Sequence, residues 1–564
     1  AIYYTEDKML KKLRLRAGTY PSSDENLEIE LSPVTVFIGP NNSGKSQALI
    51  EIQGWITKGE TELLNVISNL EFESLTREQV YEKMLDRIKI APSKGFTPYS
   101  NDYFLIGKYG KNNQIYLPNL ISTAQSPSEE NFKNSQLVTV LSYFTTRLDG
   151  YNRLSLVNSQ NAGDLQGDPI DSFSKLFKDQ VLMSKVRDVI YGAFRKYLVI
   201  DPTSLGKLRL RLSEEEPKDS LDKSLTKEAI AFHKNAILVE DASDGVKAFI
   251  GIIIALIAGE SDFILVDEPE AFLHPTLSYK LGKDITSILN NDKRLFVATH
   301  SADFLMGCVQ SNVGINIVRL TYGTQGATAR ILTQDKLKPL MQNPLLRSIG
   351  VFNALFYNAV VVTEADADRA FYQEINERLL KEKDPRGIEG CLFLNAQNKQ
   401  TVWDIVKPLR ELGIPAVGIV DIDVIKEGGV NWNKVLDGIY IPERNKSSFR
   451  TNRENLVNAF DGKDFKRSGG INLLTEEDQE FCSNFFDNLM EYGSFVVPIG
   501  EVENWLSDLD IDRNKNGWLR NIFEKMGDDP SSEHYIRPTH NDVWDFIGKI
   551  SQWINNPNRK GIPK

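Results

Sequence analysis

The chain has 564 residues, 41% hydrophobic and 25% charged, with a formal net charge of −11. This length exceeds what one hydrophobic core supports, so we expect several domains of ordinary globular composition. The acidic balance argues against a protein that coats DNA nonspecifically.

Hydrophobic segments and cysteine spacing indicate the compartment in which the protein is expected. The longest apolar run, at residues 248–258, is too short to cross a bilayer, and no apolar leader opens the sequence. The three cysteines lie far apart, match no zinc spacing and fit a reducing compartment. We therefore expect a cytoplasmic protein without membrane contact.

The first predicted elements are strands that lead to a glycine-rich loop. Residues 10–16, 27–31 and 34–38 have strand patterns, and a helix is predicted from Lys45. The loop between them fits G-x-x-x-x-G-K-S, whose backbone N–H groups hold nucleotide phosphates, with the lysine on the β- and γ-oxygens and Ser46 on Mg²⁺. The predicted ATP-binding residues here are Gly39, Asn41, Asn42, Ser43, Gly44, Lys45 and Ser46.

The following segment predicts mixed structure. We expect helical character at 60–89, a hairpin from 103–108 and 114–117, helices at 172–177 and 181–197, and a strand at 207–212. Residues 160–222 are a candidate inserted helical dimerisation module. No glutamine is assigned to the Q-loop. The segment around Arg147 is where this loop is expected, but the glutamines Gln160 and Gln166 come only later in the chain.

Two further elements complete a predicted ATPase. The apolar run 263–266 ends in Asp267, a predicted Mg²⁺ ligand, and Glu268, predicted to polarise the attacking water. A second strand ends in His300, which resembles the γ-phosphate-contacting histidine of ABC-type ATPases.

A third motif opens the predicted helix 246–259. Ser243 and Gly245 resemble a degenerate ABC signature, which binds the γ-phosphate; a plain helix cap by Ser243 or Asp244 is the alternative. In ABC-type ATPases the signature of one protomer completes the nucleotide site of another. The resemblance therefore implies a homodimer or higher homo-oligomer with shared ATP sites.

The second half places acids after two apolar runs. Glu364 and Asp368 follow residues 360–363, and Asp421 and Asp423 follow residues 414–420. Buried parallel strands bring such residues to one sheet edge, where clustered carboxylates favour a hard cation such as Mg²⁺ or Mn²⁺. The alternative is that the first two acids only complement a helix N-terminus.

This order of strand, Glu, three residues, Asp, strand and Asp-x-Asp resembles a TOPRIM domain, the fold shared by topoisomerases, primases and certain nucleases. The fold class is thus predicted as α/β. An ABC/SMC-like P-loop ATPase domain with a helical insertion spans residues 1–350, and a TOPRIM domain with a mostly parallel sheet spans residues 351–564.

The combination resembles the OLD (overcoming lysogenization defect) family nucleases, which include the nuclease subunit of Gabija-like antiphage systems. The resemblance implies an ATP-regulated, metal-dependent DNA endonuclease that acts in bacterial defence with a partner protein or nucleic acid. It also implies two cations, Mg²⁺ with Mn²⁺ or Ca²⁺ as alternatives, held by a later acid as well. That acid would be Glu503, with Glu501 as the second choice, and Lys399 and Lys549 are candidate catalytic lysines.

Two basic clusters and one rival function stay open. Residues 8–16 and 444–467 are rich in lysine and arginine, which suits either a DNA contact or a solvated surface. The rival is an ATP-driven clamp or sensor whose TOPRIM domain binds DNA or a partner without cleaving.

Overall fold

The computed structural model describes residues 9–563, except 20–25, 63, 93–96, 109–110, 165, 219–220, 290–291, 312, 324–325, 349 and 512–516. The chain divides into two compact units, residues 1–338 and 339–564, ahead of the boundary predicted after residue 350. Within the described ranges, no helix combines the length and the apolar character needed to cross a bilayer.

The strands of the first unit form one larger sheet and several small ones. In chain order they are β1 (Leu10–Leu15), β2 (Glu28–Glu30), β3 (Val34–Ile38), β4 (Ile67–Phe72), β5 (Tyr103–Lys108), β6 (Lys111–Tyr116), β7 (Thr145–Leu148), β8 (Gln160–Asn161), β9 (Tyr197–Ser204), β10 (Lys207–Ser213), β11 (Ile237–Leu238), β12 (Phe263–Asp267), β13 (Arg294–Ala298), β14 (Ile315–Gly323) and β15 (Gly326–Leu332).

The larger sheet positions the phosphate-binding loop. Its strand order is β15-β14-β3-β13-β12-β7, with every neighbouring pair parallel except β14 and β15. All residues of β3 and β13 are buried, which explains why their sequences are mostly apolar. The loop at residues 39–44, Glu268 and His300 follow the C-terminal ends of the adjacent strands β3, β12 and β13, so they meet at one sheet edge.

Helices cover this sheet and extend the first unit. They are α1 (Lys45–Lys58), α2 (Arg77–Val80), α3 (Asp86–Ile88), α4 (Leu117–Gln125), α5 (Glu129–Phe132), α6 (Gln136–Ser142), α7 (Asn152–Ser155), α8 (Ser172–Lys178), α9 (Gln180–Phe194), α10 (Lys227–Asn235), α11 (Asp244–Ile257), α12 (Pro275–Ile288) and α13 (Ala302–Gln310). The helix α14 (Gln334–Gln342) contains the division between the units.

The structure corrects two predictions of local structure. Residues 60–89 are not helical throughout, because β4 lies there and pairs antiparallel with β1. The segment 160–222 contains the two predicted helices, α8 and α9, but also β9, which pairs with β10 in an antiparallel hairpin. That segment is therefore a mixed α/β element, and a dimerisation role for it stays a prediction. The hairpin of β5 and β6 is confirmed, with its second strand beginning earlier than predicted.

The second unit is built on a parallel sheet. Its strands are β16 (Ala359–Thr363), β17 (Cys391–Asn395), β18 (Ala416–Val420) and β19 (Ser494–Val496), in the order β17-β16-β18-β19. All three pairings are parallel. Its helices are α15 (Pro344–Ser348), α16 (Asp366–Lys381), α17 (Val402–Glu411), α18 (Gly429–Gly438), α19 (Glu443–Ala459), α20 (Glu476–Met490), α21 (Trp518–Met526) and α22 (Asp542–Asn555).

Three neighbouring strands of this unit deliver acids to one edge of the sheet. Every residue of β16, β18 and β19 is buried, and α16 and α22 pack over the sheet with a cluster of aromatic and aliphatic side chains. Glu364 comes directly after β16, Asp421 directly after β18, and Glu503 shortly after β19. Because the strands are adjacent and parallel, their carboxyl ends meet.

Candidate nucleotide site and candidate metal centre

The phosphate-binding loop is curled around its own lysine. Gly39 takes φ 141°, and a Cβ there would lie 2.0 Å from the Leu320 carbonyl oxygen, so only glycine fits. Lys45 Nζ donates to the carbonyl oxygens of Gly39 at 3.0 Å and Pro40 at 2.8 Å. Burial lowers the pKa of Lys45, against the pull of Glu268 and other acids. A phosphate entering this loop would meet an ammonium that has already lost much of its water.

A hydroxyl and a carboxylate form the predicted Mg²⁺-binding pair of the nucleotide site. Ser46 Oγ donates to Asp267 Oδ1 at 2.9 Å, and Arg147 Nη2 lies 3.5 Å from Asp267 Oδ2. Both oxygens are hard donors of the kind Mg²⁺ prefers. Arg147 thus contacts the acid beside the phosphate loop, whereas Gln160 lies on β8, and the Q-loop residue stays unassigned.

Two acids follow β12 and differ in environment. His300 Nε2 lies 3.2 Å from Glu268 Oε1, and the His300 backbone N–H donates to Glu270 Oε1 at 3.1 Å. Burial raises the pKa of Glu270, whereas the Glu268 side chain is 46% exposed. The accessible acid beside His300 is therefore Glu268, which suits the water-orienting role predicted for it.

Arg153 supports this turn and was missed by the sequence interpretation. Its side chain is fully buried on the short helix α7, and Nη1 donates to the carbonyl oxygens of Asp267 at 3.2 Å and Glu268 at 2.7 Å. Glu268 itself takes φ 51°, an unfavourable conformation for a residue with a Cβ. Arg153 holds that strained backbone in place. Its position in a four-residue helix gave no periodic signal in the sequence.

The predicted signature lies at the start of α11. Ser243 is the exposed N-cap residue, but its side chain makes no capping hydrogen bond, so the helix-cap alternative is not supported for it. A Cβ at Gly245 would lie 2.6 Å from the Phe272 carbonyl oxygen. Glycine therefore lets the start of α11 approach the segment after Glu270, where the Phe272 side chain is 56% exposed.

Three carboxylates in the second unit form a group that could hold a metal ion. One ligand atom from each of Glu364, Asp421 and Asp423 lies within 4.8 Å of the other two. The Asp421 backbone N–H donates to Glu364 Oε1 at 2.9 Å, which fixes the ends of β16 and β18 together. Burial, reinforced by the negative charge of Asp421, raises the pKa of Glu364 to about 8. An all-oxygen donor set under this repulsion fits a hard divalent cation.

Asp368 and Glu503 lie near this group without belonging to its tightest part. Asp368 Oδ2 accepts from the Ala365 N–H at 3.2 Å, which is the helix-start role considered as the alternative. Burial, then repulsion from Asp421 and Glu503, also raises the pKa of Asp368 to about 7. Asp368 therefore serves both as a helix cap and as a neighbour of the acids. The negative charge of Glu503 acts on Asp368 and Asp421, and the choice of Glu503 over Glu501 as the later acid stays a prediction.

Two lysines contact the acids. Lys466 Nζ lies 2.8 Å from Asp421 Oδ2 and 3.2 Å from Asp423 Oδ2. Lys399 Nζ lies 3.0 Å from both Asp423 Oδ2 and Glu427 Oε1. Although burial opposes it, these lysines lower the pKa of Asp423. Lys399 was a sequence candidate; Lys466 was recognised only as part of the basic segment 444–467.

The other predicted basic residues have separate contacts. Lys549, the second lysine candidate, lies 3.7 Å from Asp487 and is 54% exposed, so it gains no support as a catalytic group. Most described members of the segment 444–467 contact their own unit, for example Lys446 with Asp437. In the first basic cluster, Lys12 and Arg14 pair with Glu28, and Lys8 lies outside the described residues. The DNA-contact interpretation of both clusters stays a prediction.

Comparison with known sequences supports the ATPase assignment and a distant nuclease relationship. Residues 34–307 match the family described as "AAA domain, putative AbiEii toxin, Type IV TA system". The chain is 22% identical over 275 residues to the Old nuclease of Escherichia phage P2. That alignment covers 46% of this chain and 43% of the relative, so the chain spans less than half the length of the curated relative it matches. The first unit is thus an ATPase-type nucleotide-binding domain.

Solved structures similar to the chain include heads of SMC proteins. The SMC head domain from Thermotoga maritima matches at 14% identity and a TM-score of 0.31, over 57% of this chain and 99% of that one. The Pyrococcus furiosus Smc head with an extended coiled coil, bound to the C-terminal domain of ScpA, matches at 11% identity and a TM-score of 0.31. That match covers 59% of this chain and 98% of the other.

Proposed function

We propose that this chain is an ATP-regulated, divalent-metal-dependent DNA endonuclease of the OLD type, with a TOPRIM nuclease domain in its second unit. The single observation that carries the proposal is the group of Glu364, Asp421 and Asp423 at the carboxyl edge of a parallel sheet. The distant similarity to the phage P2 Old nuclease supports the same activity. We extend the resemblance to Gabija-like nuclease subunits into a proposed role in antiphage defence with a partner.

The residues of the second unit supply complementary parts of this activity. Glu364, Asp421 and Asp423 would hold Mg²⁺, with Mn²⁺ or Ca²⁺ as alternatives, and Asp368 and Glu503 lie beside them. A bound divalent ion would activate water and stabilise the leaving oxygen of a phosphodiester. Lys466 and Lys399 bring positive charge to an otherwise acidic edge, which lowers the cost of bringing a DNA phosphate there.

The residues of the first unit would bind and hydrolyse ATP. The loop amides and Lys45 would hold the phosphates, while Ser46 and Asp267 would hold Mg²⁺. Glu268, oriented by His300, would position the attacking water, and Arg153 keeps that turn in shape. Because the chain has one phosphate loop and one signature, the proposal includes a homodimer in which Ser243 and Gly245 complete the partner's site.

The decisive experiment removes one carboxylate. Asp421→Ala should abolish cleavage of supercoiled plasmid in Mg²⁺ or Mn²⁺ and leave ATP hydrolysis near the wild-type rate. The reason is that Asp421 belongs to the acid group of the second unit, while the ATP-binding loop belongs to the first. Losing it removes both a ligand and part of the charge that holds the ion.

A matched surface variant and a chelator control for indirect effects. Asp487→Ala, which removes an exposed acid paired with Lys549 in the same unit, should cleave like the wild type. EDTA should reproduce the Asp421→Ala result. Full cleavage by well-folded Asp421→Ala protein would reject the nuclease proposal and leave the DNA-binding clamp.

A further inference from the structure

The two lysines at the metal group contact the same side of the aspartates. Lys466 contacts Oδ2 of Asp421 and Oδ2 of Asp423, and Lys399 contacts that same Asp423 oxygen. A divalent ion shared by these two oxygens would need bonds much shorter than these lysine contacts, about 2.0–2.1 Å for Mg²⁺. The Lys466 ammonium therefore takes the position that such an ion would need.

Local packing fixes the main chain of Lys466. Its carbonyl oxygen accepts from Asn504 Nδ2 at 3.1 Å, and that amide also donates to the Ile499 carbonyl at 2.7 Å. A Cβ at Gly500, which has φ 118°, would lie 2.1 Å from the Lys466 carbonyl oxygen. The loop after β19 thus packs against the backbone of this lysine.

Lys399 is also anchored by its neighbours. It bridges Asp423 and Glu427, and Glu427 Oε2 in turn accepts from Asn431 Nδ2 at 2.8 Å. This contact fixes the orientation of the Asp423 carboxylate. Lys399 is therefore a positioning residue for Asp423.

The second oxygen of Asp423 is free to bind a cation. Asp423 Oδ1 is buried and has no hydrogen-bond partner among the residues that the structure describes. Glu364, which approaches from β16, is part of the same compact ligand group. A buried carboxylate oxygen without a partner is costly, and a metal ion would relieve that cost.

We infer that this centre binds a single divalent ion through Glu364 and Asp423 Oδ1, and that the Lys466 ammonium supplies the second positive charge. The inference rests on the proposed nuclease function and changes its mechanism, since the family resemblance implies two ions. Lys466 would then face the phosphodiester together with the ion and offset the charge that develops on its oxygens.

The test counts ions directly in the nucleotide-free, full-length protein. Mn²⁺ is titrated by calorimetry into wild type, Glu364→Ala, Lys466→Met and Lys463→Met, with electron paramagnetic resonance of the loaded samples. Because Glu364 is a ligand of the proposed ion, subtracting the Glu364→Ala count removes ions bound elsewhere. Lys463→Met is the matched control, because Lys463 Nζ donates to the Ala459 carbonyl at 3.1 Å.

The inference predicts one ion at this centre in wild type and Lys463→Met, with the spectrum of an isolated Mn²⁺. Lys466→Met should bind a second ion, with a spin-coupled spectrum, because the Oδ2 side becomes accessible. Two ions in wild type, or an unchanged count and affinity in Lys466→Met, would overturn the inference.

Plasmid cleavage measured on the same samples separates the two proposals. If the wild type binds two ions and cleaves plasmid, only the proposed role of Lys466 is rejected. If it binds one ion and does not cleave plasmid, only the nuclease function is rejected. A wild-type count equal to that of Glu364→Ala would reject both.

Discussion

Single acids of the metal group make the metal-free protein sensitive to pH. The pKa of Glu364 is raised to about 8 and that of Asp368 to about 7, mainly by burial. In the unfolded chain both groups return to their ordinary values of 4.5 and 3.8. At pH values between the unfolded-state and folded-state pKa of each group, the folded protein binds more protons than the unfolded protein. Its stability therefore falls as pH rises through this range.

We therefore predict that, in EDTA, the melting temperature of the second unit decreases as pH is raised from about 5 to about 8. Thermal unfolding followed by tryptophan fluorescence measures this, because six of the seven tryptophans lie in residues 339–564. Glu364→Gln cannot ionise and should show a shallower slope, and saturating Mg²⁺ should flatten the slope of the wild type. An identical slope in Glu364→Gln would show that this carboxyl does not titrate in the window.

At the scale of elements, a buried arginine joins the sheet of the second unit to its C-terminal segment. Arg410, on α17, donates to the carbonyl oxygens of Ala416 at 2.8 Å, Tyr492 at 2.9 Å and Gly561 at 2.6 Å. Its guanidinium also lies 4.8 Å from the centre of the Trp553 ring. Burial lowers the pKa of Arg410 to about 9. These contacts compensate the desolvation of the cation and link α17, β18 and β19.

Arg410→Met should lower the free energy of unfolding of this unit by about 3 kcal/mol or more, because several buried carbonyl oxygens lose their donor. Urea unfolding followed by tryptophan fluorescence measures the change. The control is Arg520→Met, whose side chain is 83% exposed and pairs with Glu524; it should change stability by no more than about 0.5 kcal/mol. Equal effects of both variants would contradict the structural role.

The elements beside the candidate sites were predictable because their sequences are unambiguous. β3 and β12 have the expected bounds, since a buried parallel strand gives a mostly apolar run that ends at a functional residue, and α1 begins at Lys45 as predicted. β4 was missed because its alternating polar residues suit an antiparallel strand as well as a polar helix. Lys466 was missed as a neighbour of Asp423 because 43 residues separate them and only the folded chain brings them together.

At the scale of the whole molecule, the two units carry separate chemistry. The phosphate-binding loop and its acids lie in residues 1–338, and the metal group lies in residues 339–564. We propose that ATP regulates cleavage through the arrangement of protomers, which nucleotide binding at the proposed shared ATP sites would change. The proposed homodimer would then link the two proposed activities.

Mixing two inactive variants tests that link. Lys45→Ala disables the phosphate loop of its own protomer, and Ser243→Ala disables the signature that completes the partner's site. In a mixed dimer one shared site carries both changes and the other carries neither. Random exchange between equal amounts should therefore restore about one quarter of wild-type ATP hydrolysis, since half the dimers are mixed and half their sites are intact.

Steady-state hydrolysis of each variant alone and of the mixture measures this recovery. Two affinity tags, one on each variant, show by sequential purification whether protomers have exchanged. Because Ser243 is exposed and makes no capping hydrogen bond, its replacement should leave the start of α11 folded. Lost hydrolysis in Ser243→Ala alone would then reflect a missing phosphate contact. Doubly tagged dimers without recovered hydrolysis would reject the shared site, and each chain would have to hydrolyse ATP by itself.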